Sequence, residues 1–169
     1  MRFHRSRPVL ALSLLLLAGC AGYSYTINER EVFSPAPLFS GYEIADAALA
    51  GCVQQAIEDQ RVTRAEDLRD LQCSQAGIAS LAGIEVFTGL RRLGLDGNAL
   101  GSVAALEALG DLSLLQLRDN RLKGFERALC GHPGRELALS GNPDFACADL
   151  ERLRACGAKL LDTPSHCGG

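Results

Sequence analysis

The side chains of this sequence best equipped for chemistry are its seven cysteines, Cys20, Cys52, Cys73, Cys130, Cys147, Cys156 and Cys167. A cysteine serves as disulfide partner, metal-bound thiolate or nucleophile, and spacing helps to separate those roles. No two stand in a C-x-x-C arrangement, the usual signature of a zinc site. A metal held by cysteines together with His132 and His166 is therefore not expected; both histidines read as exposed residues of Gly/Pro-rich loops. No G-x-S-x-G elbow, H-E-x-x-H helix or phosphate-cradling glycine loop is present. The acid pairs Glu58–Asp59 and Glu66–Asp67 fall at predicted helix ends and read as solvated faces. The chain is not expected to be an enzyme or to carry a cofactor. A thiol-redox protein is the weaker alternative, since it needs a free reactive cysteine.

How the cysteines pair depends on where the chain resides, and the N-terminus addresses that. Arg2, Arg5 and Arg7 precede an apolar run from Pro8 to Gly19 that ends in small residues. The run is about a dozen residues, against the ~20 that a spanning helix needs. A basic start, a short apolar stretch and a small-residue cleavage site describe a removable export signal over residues 1–19. Leu17-Ala18-Gly19-Cys20 resembles the lipobox of bacterial lipoproteins. That resemblance implies a diacylglyceryl thioether and an acylated amino group on Cys20, hence a membrane anchor. Several acyl chains anchor stably where one does not. Ala21 in the following position implies, by the sorting rule of enterobacteria, an outer-membrane lipoprotein facing the periplasm, with surface display as the other possibility. Removing Arg2, Arg5 and Arg7 from the 17 basic residues leaves 14 against 20 acids. A net charge near −6 disfavours nucleic acid and anionic lipid headgroups as partners.

From residue 68 onward the chain shows a strict period. "LRDLQCSQAGIASLAGIEVFTG" (68–89), "LRRLGLDGNALGSVAALEALGD" (90–111), "LSLLQLRDNRLKGFERALCGHP" (112–133) and "GRELALSGNPDFACADLERLRA" (134–155) align without a gap. Their fourth positions are Leu71, Leu93, Leu115 and Leu137; their sixth are Cys73, Leu95, Leu117 and Leu139. The ninth holds Ala76 and then Asn98, Asn120 and Asn142. The fourth unit departs, with Gly134 for the first leucine and Asp144 for the aliphatic at position eleven.

This pattern resembles leucine-rich repeats of the short class found in bacterial internalins, over residues 46–162. The resemblance implies an α/β fold: a short right-handed solenoid with a parallel concave sheet, an N-terminal helical cap and a disulfide-linked C-terminal cap. It also implies that Asn98, Asn120 and Asn142 form a ladder whose amides satisfy backbone groups of neighbouring coils. The domain reading is a lipidated tether or small hairpin at 20–41, a helical cap at 42–67, four repeats at 68–155 with the last one capping, and an edge strand and tail at 156–169. Within the cap, Asp46 is expected to start a helix that ends near "EDQ". "TRAEDL" has Thr63 and Glu66 in capping-box spacing.

With Cys20 lipidated, six cysteines remain in an exported protein, where disulfides are the default. Cys73 points inward from the first strand and Cys52 lies on the helix covering that end, which pairs them. Neighbouring coils stack ~5 Å apart, a separation that suits a disulfide. Cys147 and Cys167 then occupy similar places one coil apart, and Cys130 and Cys156 both precede a strand. The expected pairs are Cys147–Cys167 and Cys130–Cys156.

Alternation along each strand turns the residues between the leucines outward. The candidate binding residues on that face are Asp70, Gln72, Arg92, Asp96, Leu114, Gln116, Arg118 and Glu136, interleaved with Ser74, Gly94, Ala138 and Ser140. The expected function is binding of an envelope protein, or a glycan, by the concave face. The alternative is an accessory role exercised through the convex side or a cap.

Overall fold

The computed structural model describes residues 25–27, 30–33, 36–131 and 133–168. The export signal, Cys20 and His132 lie outside the described residues. The chain divides into two compact units, Met1–Ala36 and Pro37–Gly169. In the first, β1 (Tyr25–Ile27) pairs antiparallel with β2 (Arg30–Phe33). Within the stretch expected to be a tether or small hairpin, the described residues are these two paired strands.

The second unit begins with an extended segment and then α1 (Ala47–Gln60). Asp46 caps the helix, its Oδ1 accepting from the N–H groups of Ala48 at 3.0 Å and Leu49 at 3.1 Å. Leu49, Val53 and Ile57 recur at helical spacing and are buried. The helix ends at Arg61, whose left-handed backbone lets its N–H reach the carbonyls of Ile57 and Glu58.

Five parallel strands follow: β3 (Asp70–Gln72), β4 (Arg92–Gly94), β5 (Leu114–Gln116), β6 (Glu136–Ala138) and β7 (Lys159–Asp162). They lie side by side in chain order. Asp70, Arg92, Leu114 and Glu136 stand opposite one another in register, so the sequence period is also the stacking period. The last coil carries one more residue. Glu136 faces Lys159, and the ladder then shifts so that Ala138 faces Asp162.

The returning chain on the other side is short. It forms 3₁₀ turns at Ile84–Val86 and Ala104–Ala108 and two α-helices, α2 (Arg127–Cys130) and α3 (Ala148–Ala155). A 3₁₀ turn rises ~2.0 Å per residue, so it spans a coil's width with few residues. The core lies between these turns and the sheet. Leu68, Leu71, Leu90, Leu93, Leu95, Leu112, Leu115, Leu117, Leu137 and Leu139 fill it from the strand side, and Ile78, Leu81, Ile84, Phe87, Leu100, Val103, Leu106 and Leu109 from the other. Each fully buried leucine contributes ~1.5–3 kcal/mol of transfer free energy.

One local expectation is corrected. The capping box at Thr63 and Glu66 does not form. The turn there is a single 3₁₀ turn, Ala65–Asp67, preceded by Arg64 without any side-chain cap, and the Glu66 carboxylate pairs with Arg64 instead. In the fourth repeat the exposed Asp144 is followed by Phe145, which is buried and takes over the core position that Asp144 vacates.

Candidate binding surface

The sheet's solvent-facing row is positioned by two sets of cross-ties. The first is covalent. Disulfides join Cys52 to Cys73, Cys130 to Cys156 and Cys147 to Cys167, with Cα separations of 5.9, 5.7 and 5.2 Å. The pairs are those expected, the first from the capping helix over β3 and the other two from coil stacking. The first fastens α1 to the end of β3; the other two bind the last coil to the coils before it.

The second set is the asparagine ladder. Asn98 is buried between coils, its oxygen accepting from the N–H groups of Ala76 and Ile78 and its amide donating to the carbonyls of Cys73 and Leu95, both at 2.9 Å. Asn120 accepts from Leu100 and donates to Leu95 and Arg118; Asn142 accepts from Leu122 and donates to Leu117 and Leu139. Each amide satisfies groups that a turn without secondary structure leaves unpaired.

A parallel device made of carboxylates works where the chain leaves each turn. Asp46 Oδ2 accepts from Ala79 and Ser80, Glu126 from Val103, and Asp149 from Phe125. Burial alone would raise the Asp46 carboxyl, but four backbone N–H donors at Ala79, Leu49, Ser80 and Ala48 outweigh it and hold the group below its ordinary value.

On the solvent-facing row the charges are matched within the molecule. Arg92 on β4 pairs with Asp70 on β3, its Nη2 donating to Oδ2 at 2.8 Å. Arg118 sits between two acids, with Nη1 donating to Asp96 Oδ2 at 3.0 Å and Nε to Asp162 Oδ2 at 2.7 Å. The hydrogen bond that Arg118 donates to Asp162 raises its guanidinium, against partial desolvation. Asp162 is itself held low: desolvation opposes, and the Ser140 N–H, Arg118 and the Leu139 N–H prevail. Lys159 donates to Glu136 at 2.8 Å across β6 and β7. Gln72 is exposed and Leu114 and Gln116 are half-buried, while Gly94 and Ala138 are buried. The Gln72 side chain lies across Gly94, its Oε1 1.8 Å from where a Cβ would stand. The surface is thus a low central strip flanked by ion pairs, with Leu114 as its apolar point.

Away from this row lies one cluster of metal-ligating side chains among the described residues. Cys147, His166 and Cys167 converge, their ligand atoms within 4.8 Å of one another. The two sulfurs are spent in a disulfide, so neither is the thiolate that metals and electrophiles require. His166 Nε2 lies 2.9 Å from the Phe145 carbonyl oxygen.

One polar residue that the repeat pattern hides is Arg135. Its side chain turns inward and is almost wholly buried. Nε donates to the Leu112 carbonyl at 2.6 Å, Nη2 to Leu109 at 3.0 Å and Nη1 to Ala128. Desolvation lowers its guanidinium, and three carbonyls compensate in place of a counter-ion. The signal available in the sequence was the absent leucine at Gly134, next to a residue whose counterparts Arg69, Arg91 and Ser113 are exposed.

Comparison with known proteins gives a fold. No protein-family model matches the chain, and no curated protein matches it. Among solved structures it is similar to an internalin (inlF) from Listeria monocytogenes, at 26% identity and TM-score 0.52, over 62% of this chain and 34% of that one. It is also similar to internalin C2 (inlC2) of the same organism, at 23% identity and TM-score 0.54, over 66% of this chain and 54% of that one. The chain spans less than two thirds of the length of either neighbour.

Proposed function

Taking the internalin-like α/β repeat solenoid as given, we propose that this chain is a non-enzymatic binding module. In this reading it is held at the bacterial envelope by lipid on Cys20 and recognises a protein partner, or a glycan, through the outward row of its five-stranded sheet. The observation that carries the reading is the sheet itself. Strands in strict register present Gln72, Arg92, Asp96, Leu114, Gln116, Arg118 and Glu136 as one continuous surface, and among the described residues no catalytic constellation competes with it. Lipidation, outer-membrane sorting and the removable signal over 1–19 belong to the proposal, supported by the basic start, the short apolar run and Leu17-Ala18-Gly19-Cys20.

Recognition there involves exchange of ion pairs. Rim charges already matched internally contribute modestly to affinity and more to specificity and on-rate. The test is an affinity capture from the native envelope with Arg92, Asp96, Gln116 and Arg118 all replaced by alanine, with intact disulfides and unchanged far-UV circular dichroism as the check on folding. Loss of the captured partner supports the sheet face; unchanged recovery removes it. A second reading places binding at the N-terminal end of the solenoid, and the matching of the sheet's charges within the molecule favours it.

A further inference from the structure

At the N-terminal end of the second unit a groove of ≈ 900 Å³ opens between the segment before α1 and the outer side of α1. Its volume lies in the range of peptide- and ligand-sized sites, and its shape is fixed by local chemistry. The Phe39 N–H donates to the Val62 carbonyl at 2.9 Å, which ties the segment to the end of α1. Gly83 has a positive φ of 98°, and a Cβ there would meet the Glu43 carbonyl at 2.2 Å, so the segment rests directly on the first repeat's turn. Phe39 and Tyr42 stack, with centroids 6.0 Å apart, and both meet the buried Phe87 edge-on. The wall is therefore preformed rather than a loop lying loose.

The groove's chemistry is distinct from that of the sheet. Phe39, Tyr42 and Ile57 give it an apolar, aromatic lining, and its charged residues are Glu43, Glu58 and Glu85; no lysine, arginine or histidine lines it. Glu58 accepts from the Gln54 amide and Glu85 from the Gly83 N–H. None of the three belongs to an ion pair among the described residues. On the sheet, by contrast, Asp70, Asp96, Glu136 and Asp162 all have cationic partners within the molecule. Aromatic anchors in a desolvated site are what interface hot spots favour, and three carboxylates without counter-ions select the sign of what enters.

We infer that this groove is a docking site for a basic, apolar peptide segment. An aliphatic or aromatic side chain of the segment lies on Phe39 and Tyr42, and flanking lysines or arginines meet Glu43, Glu58 and Glu85. The inference rests on the chain being a binding module and is independent of the sheet face.

The test uses the whole chain in nonionic detergent and a fluorescent hexapeptide with a leucine–phenylalanine pair between paired lysines. A counterpart with glutamates for the lysines is the control. The lysine peptide is expected to bind, and to weaken about tenfold or more when E43K, E58K and E85K are combined. It should also weaken as ionic strength rises, and the glutamate peptide should not bind. Tyr42→Ala should weaken binding with little change in its salt dependence. Three exposed charge reversals leave the core untouched, so the test survives even if Tyr42→Ala fails to fold. Equal binding of the two peptides, or an unchanged affinity in the triple reversal, overturns the inference. So does a concentration-dependent dimer dissolved by the same reversals, which would assign the groove to a second copy of the chain. The sheet variant described above should bind the peptide unchanged; its losing the envelope partner while keeping the peptide separates the two sites.

Discussion

Single residues at the two ends of the solenoid perform tasks that the repeat pattern did not announce. Asp46 was legible as a helix cap, since it precedes an amphipathic run. Its second task, bridging to the Ala79 and Ser80 N–H groups more than thirty residues later, depends on tertiary proximity and has no local signature. Replacing Asp46 with alanine removes the acceptor of four backbone N–H groups, and a loss of about 1–3 kcal/mol in urea unfolding at neutral pH is expected. The folded carboxyl is depressed below its ordinary value. Its contribution is therefore present above the unfolded pKa of ~3.9 and lost as pH falls through the lower folded value. The gap between wild type and Asp46→Ala should accordingly narrow in unfolding curves measured at progressively more acidic pH below that point. Arg135 is a sharper case. The period assigns it to an exposed position, and only the missing leucine at Gly134 hints that something else must fill the core. Arg135→Ala leaves the Leu109, Leu112 and Ala128 carbonyls without this donor and opens a cavity, at a cost of about 3–5 kcal/mol. A denaturation midpoint within experimental error of wild type would show that the buried guanidinium carries no such weight.

Among the elements, the strands were readable because a twenty-two-residue period repeated in phase. Once it was seen, the register from Asp70 to Arg92 to Leu114 to Glu136 followed, and so did a disulfide pairing by adjacent coils. The one-residue excess before β7 was less visible, because Gly157 and Ala158 carry no repeat signature. The segment before α1 was not readable at all. Phe39 and Tyr42 have no period, and their place is set by contact with Phe87 from the first repeat, so the groove they line could not be derived from spacing. The stability of this end should depend on the bridge from α1 to the first repeat. Removing Cys52 and Cys73 together releases a constraint across a separation of 21 residues, worth ~3 kcal/mol. Hydrogen exchange should then rise first over 47–60, with residues 136–162 retaining protection. Uniform exchange across all five coils would mean that α1 is not a separately held element.

At the scale of the whole molecule, the sheet and the groove offer two surfaces of different character, one internally matched in charge and one acidic and aromatic. In the proposed function, the sheet's outward row meets a partner in the cell. It is tested most directly by photo-crosslinking in living cells from a reactive residue placed at Gln72 or Gln116, with exposed Ala104 on the opposite side as the control. One discrete adduct of the same partner is expected from both sheet positions and none from Ala104. Adducts from Ala104 with none from Gln72 or Gln116 would contradict it.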